Sequence, residues 1–171
     1  QLVLLPAVPV AILAGLWERH QVDSLTGGWD YLEPVLFAHA AGMVIHRWWH
    51  AYRGGLDRRA VAQFHEWLTG AGLLYLRDEA PEIATVFTTH ATVLGRAAAG
   101  QGIVLPAEGP GDLPERLHVR AKHSLEAACA READVFTTVS AVTAEEAARA
   151  LGRHPEPILP NGIDLEVVDA L

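Results

Sequence analysis

From residue 60 onward the chain alternates short β-rich runs with helical stretches, and no other feature of the sequence constrains its fold as strongly. The β-rich runs are AVAQFH (60–65), IATVFTTH (83–90), ADVFTTVS (133–140) and PILP (157–160). Between them lie WLTGAGLLYLRDEA (67–80), ATVLGRAAAG (91–100), RLHVRAKHSLEAACARE (116–132) and TAEEAARAL (143–151), which read as helices. Strands separated by helices join as βαβ units, which build a parallel sheet covered by helices, so the predicted class is α/β. Within the alternation, Val86-Phe87-Thr88-Thr89 recurs as Val135-Phe136-Thr137-Thr138. Two strands with the same apolar-to-threonine transition are expected at equivalent places in the sheet. The segments between them differ, so the echo is no solenoid repeat.

Upstream, residues 2–17 hold sixteen residues without a charge. The run is shorter than the ~20 residues a bilayer requires, has no positive region before it, and carries Pro6, Pro9 and Gly15. It reads as a buried strand, LVLL (2–5), followed by an irregular turn. Residues 29–52 are rich in Ala, Leu, Val and Trp and read as holding a mostly buried helix that runs to about Ala51. Pro34 would lie in its first turn, with Val35, Leu36, His39, Met43 and Ile45 at helical spacing. RGGLD (53–57) breaks it. Residues 100–117 hold four Gly and three Pro and are expected to be the longest irregular loop, either a lid or an exposed connection.

Composition narrows the function classes. The 171 residues carry 13 basic and 21 acidic side chains, a net charge of −8, and half are hydrophobic, which fits one globular domain. Scattered basic residues with no run and no aromatic interleaving argue against nucleic acid or an anionic membrane surface as partner. Cys129 is the single cysteine, so neither an internal disulfide nor a cysteine-built zinc site can form, and a reducing, cytoplasmic setting fits. Residue 1 is Gln and Met43 is the only methionine, so the chain is not expected to start at the start of a reading frame.

In open parallel sheets, ligands bind beyond the carboxyl ends of the strands, where helix N-termini offer backbone N–H groups. Four strand ends deliver polar residues to that rim: His65-Glu66, His90, Ser140 and Asn161-Gly162. Each has a plainer alternative. His65 is either a site residue or a buried histidine bonded to a carbonyl, and Glu66 either lines the cleft or complements a helix dipole. Thr88, Thr89, Ser140 and Thr143 are site residues or helix caps. Arg96, on the helix after His90, either meets an anion at that helix N-terminus or makes a routine salt bridge. Asn161-Gly162 is a site or a turn.

His46 and His50 have the i, i+4 spacing of two ligands on one helix face, but there is no HExxH and no third ligand at a recognisable spacing. The expectation is no metal and no cofactor. GxSxG, GxxxxGK[ST] and GxGxxG are all missing, so neither a nucleophile elbow nor these phosphate loops is available.

Longer blocks carry more. QFHEWLTGAGLLYLR (63–77), TVFTTHATVLGR (85–96), ADVFTTVSAVTAEEA (133–147) and ILPNGID (158–164) occur in this order, with GGWDYLEPVLFAHAAG upstream. Together they resemble glycogen synthase of the animal/fungal type, in a bacterial form, over most of the chain from about Trp17. The resemblance implies the GT-B fold, two Rossmann-like domains with the active site in the cleft between them. It implies transfer of glucose from a nucleotide sugar, usually UDP-glucose, to the non-reducing end of an α-1,4-glucan with retention of configuration and without metal.

On this resemblance the chain is part of the N-terminal Rossmann-like domain over residues 1–171, and the donor-binding second domain lies outside it. His90 and Arg96 match the family positions that contact the donor, and His65 matches a histidine near the transferred glucose, so His65 and His90 are the expected catalytic residues. Glu66, Ser140, Asn161 and Gly162 are expected cleft-lining residues. Glu126 matches a family glutamate whose role stays open. The implied partners are the nucleotide sugar and glycogen, with a homo-oligomer allowed.

Departures accompany the match. The family's glycine-rich, lysine-bearing loop is not in this sequence, residues 2–15 match poorly, and the isolated 171 residues are expected to be inactive. A GT-B transferase with another donor or acceptor, or a non-catalytic glucan-binding copy, are the alternatives.

Overall fold

The computed structural model describes residues 7–52 and 59–162. Its order is α1 (Ala7–His20), α2 (Trp29–Tyr52), β1 (Ala60–His65), a 3₁₀ turn (Trp67–Thr69), α3 (Gly70–Glu79), β2 (Ile83–Thr89), α4 (Val93–Ala99), α5 (Leu113–Arg116), α6 (Arg120–Glu132), β3 (Val135–Thr138) and α7 (Ala141–Leu151). The three strands form one sheet in the order β1-β2-β3, every pair parallel. The α/β class with flanking helices is therefore as expected.

The repeated tetrapeptides lie side by side. Val86 pairs with Val135, Phe87 with Phe136, Thr88 with Thr137 and Thr89 with Thr138. The two buried phenylalanines stack at 5.7 Å between ring centroids. Below them, the Thr88 and Thr137 hydroxyls are 2.8 Å apart. At the strand entry, the Asp134 carboxylate accepts from Thr85 N–H (2.7 Å), the Thr85 hydroxyl (3.0 Å) and Arg77 Nη1 (2.7 Å).

Three expectations change. LVLL (2–5) lies outside the described residues, but the stretch expected as an irregular turn is the helix α1. Pro9 is the third residue of α1, where the missing N–H has no intrahelical acceptor to lose, so proline is tolerated there. Helix α2 forms, but it starts at Trp29, places Pro34 beyond its first turn, and is not mostly buried. One seam, Tyr31, Val35, Ala38, Gly42 and Trp49, is buried, while Trp29, Phe37, Val44, Trp48 and Tyr52 are exposed. The seam allows close approach: a Cβ on Gly42 would sit 2.9 Å from the Gly72 carbonyl oxygen of α3, and one on Gly72 would sit 2.6 Å from that of Ala38.

The third change is PILP (157–160), which makes no strand. Glu156 N–H donates to Phe136 O and Leu159 N–H to Thr138 O, both at 2.7 Å, and only isolated bridges result. Pro155, Pro157 and Pro160 lack the N–H groups a continuous ladder needs.

The loop expected over residues 100–117 is irregular up to α5, a single helical turn at its end. The core consists of Leu73, Leu74 and Leu76 of α3, Phe87, Phe136, Leu94 and Leu125, all fully buried. Among the described residues, no helix is long and apolar enough to cross a membrane.

Candidate active site

Strands β1 and β2 end side by side, with His65 paired to Thr88, so the next residues of each strand emerge together. His65 Nδ1 and His90 Nε2 are 3.1 Å apart, and the rings stack at 5.4 Å between centroids. His65 is exposed and His90 half-buried, so the alternative of a buried, carbonyl-bonded His65 does not hold. One ring must donate and the other accept, so the pair shares one proton between these two nitrogens.

Glu66 is held in an unusual conformation, φ 61° and ψ 166°, at positive φ without being glycine. Such a residue costs on the order of 1–3 kcal/mol and persists only where its surroundings enforce it. Here Glu66 N–H donates to Thr88 O (3.0 Å), and Glu66 O accepts from Thr69 N–H (3.2 Å). The bend aims the carboxylate across the strand ends. Glu66 Oε1 accepts from His90 N–H at 2.9 Å and from Arg96 Nη2 at 3.2 Å. The salt-bridge reading of Arg96 is therefore correct, but its partner belongs to the same cluster. Glu66 does not act as a helix-dipole residue, because its carboxylate serves the neighbouring strand.

The first turn of α4 differs from the expectation of free N–H groups. Thr92 is its cap: the hydroxyl accepts from Gly95 N–H at 2.9 Å and donates to Glu146 Oε1 at 2.7 Å. Thr92 N–H donates to the same Glu146 oxygen at 2.9 Å, and Val93 N–H to Glu126 Oε2 at 2.9 Å. Glu126 is fully buried and also accepts from the Thr89 hydroxyl at 3.3 Å. Burial, aided by the nearby charge of Glu66, pushes the Glu126 carboxyl up to about 8. These amides are thus already occupied by the chain's own carboxyl groups.

The other rim residues stay apart. Ser140 is the cap of α7, accepting from Thr143 N–H at 3.1 Å, with its hydroxyl 2.9 Å from that of Thr143. Thr88 and Thr89 are strand residues, not caps. Asn161 and Gly162 are exposed, and among the described residues no hydrogen bond joins Ser140, Asn161 or Gly162 to the histidine pair. His46 and His50 do approach, with ring centroids 4.7 Å apart, but His46 Nδ1 is 3.2 Å from the Tyr75 hydroxyl. Among the described residues, no group of three or more His, Cys, Asp or Glu gathers as a metal site. Sequence reasoning missed Glu146. The signal was Thr92 and Gly95, a cap and a residue without a side chain, facing an acidic pair, Glu145-Glu146, on α7.

The cluster is drawn from the blocks FHEW and THATVLGR, and the glycogen synthase family model matches residues 13–171 around them. The chain belongs to the glycogen synthase family. It is 42% identical over 157 residues to glycogen [starch] synthase isoform 2 of Saccharomyces cerevisiae, covering 88% of this chain and 22% of that protein. It is 32% identical over 159 residues to glycogen [starch] synthase of Dictyostelium discoideum, 91% of this chain and 18% of that protein. To the liver glycogen [starch] synthase of Mus musculus it is 39% identical over 118 residues, 67% of this chain and 17% of that protein. The chain spans about a fifth of the length of these curated glycogen synthases.

Proposed function

We propose that the complete protein containing these residues transfers glucose from a nucleotide sugar, UDP-glucose, to the non-reducing end of an α-1,4-glucan in the cytoplasm. Residues 1–171 then contribute part of the first of two Rossmann-like domains, and the site faces the cleft between them. The observation that carries the proposal is the junction of His65, Glu66, His90 and Arg96 at the ends of two adjacent strands, within a family named for this synthesis.

The chemistry agrees. Departure of a nucleoside diphosphate develops negative charge that a cation or N–H donors must meet. Glu126, Glu146 and Thr92 already hold three N–H groups at the start of α4, so the duty on this side falls to Arg96. Its guanidinium is 60% exposed and gives one contact to Glu66, which leaves donors of its planar fork for phosphate oxygens. His65 and His90 bond to each other through one nitrogen each, and the second nitrogen of each ring is suited to a sugar hydroxyl. Their role is orientation and support of a developing oxocarbenium-like centre more than proton transfer. Glu66 positions both His90 and Arg96. Ser140, Asn161 and Gly162 are not assigned a part in the transfer.

The test is elongation of glycogen by the complete protein, with UDP-, ADP- and GDP-glucose offered separately. UDP-glucose is expected to be used best. Elongation faster with another nucleotide overturns the donor assignment, and failure with all three overturns the transfer.

A further inference from the structure

We propose that Glu126 and Glu146 are positioning residues for His90 and Arg96, acting as a two-sided clamp on the first turn of α4. The inference rests on the reading of this cluster as a donor site. His90 lies two residues before the cap Thr92, and Arg96 lies one residue after Gly95, so both project from the segment that the two carboxyl groups hold.

The two grips come from different helices. Glu126, on α6, takes Val93 N–H, and Glu146, on α7, takes both the N–H and the hydroxyl of Thr92. Glu66 holds His90 N–H from a third direction. A short helix of seven residues, marginal by itself, is thereby fixed against three elements.

Stability alone does not call for this arrangement. Among the described residues, no Lys or Arg forms an ion pair with Glu126 or Glu146. A fully buried carboxyl without a cation is expensive to bury, and an apolar side chain of similar volume would serve packing better. Gly95 completes the device: a Cβ there would overlap the Glu146 carboxyl group, so glycine keeps open the space in which Glu146 reaches Thr92. A 1 Å displacement of positioning groups is enough to cost on the order of 100-fold in rate, which sets the scale of what the clamp protects.

The test uses the complete protein with E126A, E126Q, E146A and G95A, read by amide hydrogen exchange and by separate kinetic constants for nucleotide sugar and glucan. E126A is expected to speed exchange at Val93, raise the KM for the nucleotide sugar and lower kcat/KM at least about tenfold, leaving the glucan KM unchanged. E126Q keeps an oxygen for Val93 N–H and should return to within about threefold of wild type. G95A should reproduce E146A, since each removes the carboxylate from Thr92, and the double variant should be no worse than either.

Folded E126A and G95A proteins with an unchanged KM for nucleotide sugar overturn the clamp, as does an equal rise in both KM values. If E126A does not fold, G95A and E146A carry the same decision. If the wild-type protein transfers glucose from no donor, the proposed function falls, and the clamp is judged by exchange alone: unchanged protection at Thr92 and Val93 in the variants overturns it.

Discussion

The units β2-α4 and β3-α7 are built from the same parts, and only one of them carries the site. Each begins with a Val-Phe-Thr-Thr strand, and each helix is capped by a hydroxyl that accepts from the amide three residues on: Thr92 from Gly95, and Ser140 from Thr143. They differ in what surrounds the helix start. Carboxyl groups of Glu126 and Glu146 hold the first turn of α4, whereas no carboxyl group among the described residues is bonded to the first turn of α7, where Val142 is 82% exposed. A cap hydroxyl satisfies one amide wherever a helix starts. Only where His90 precedes the helix and Arg96 lies on it is the helix start held by carboxyl groups of other elements.

The largest effect expected from breaking this contrast is on transfer itself. In the complete protein, H90A and R96A should each lower kcat/KM for the nucleotide sugar by at least about 100-fold with the fold intact by circular dichroism. S140A, at the matching place in the other unit, should stay within about threefold of wild type and lose only about 1 kcal/mol of stability, the usual worth of a cap. Equal losses in the two units would end the distinction between them.

A smaller effect is a pH dependence of stability, read from urea midpoints at several pH values. Burial raises the Glu126 carboxyl from its ordinary 4.5 to about 8, so between these values the folded chain keeps a proton that the unfolded chain has released. Stability should therefore fall as pH rises from about 5 to 8, by a few kcal/mol at most, and E126Q should remove the fall. His123 works in the opposite sense. Burial lowers it from 6.5 to about 4, so the unfolded chain binds a proton first and stability falls as pH drops from 6.5 towards 4. The E126Q protein should retain that acid-side fall alone.

The smallest expected difference lies between the two caps. T92A should cost about 2 kcal/mol and S140A about 1, because loss of the Thr92 hydroxyl also strips a partner from Glu146. Thermal or urea denaturation of the two variants decides it, and equal costs would mean that Glu146 gains nothing from the hydroxyl.

How far the sequence foretold this depended on whether the signal was periodic or spatial. The strands at 60–65, 83–89 and 135–138 were legible because short apolar runs bounded by helical stretches have few other readings. The helical nature of residues 7–20 was not, since an uncharged run punctuated by Pro6, Pro9 and Gly15 looks broken until Pro9 is placed in a first turn. PILP looked like a strand by composition, yet its prolines withhold the donors that pairing needs. At the site, His65, His90 and Arg96 came from strand-end logic and from the resemblance. The joining of His90 and Arg96 through Glu66 depends on a positive φ that nothing in the letters FHEW announces. The clamp was least legible, because contact between Glu146 and Gly95 is a property of two helices packed together.

The side-by-side tetrapeptides also bear on how the chain finds its own order. By side-chain pattern, residues 86–89 and 135–138 are interchangeable, and either could lie next to β1 in the same register. What tells them apart stands one residue earlier, where Thr85 and Asp134 occupy corresponding places and bond to each other by N–H, hydroxyl and carboxylate. The hydrophobic code of the sheet is thus degenerate at its centre, and the two strands part company at a single polar pair braced by Arg77.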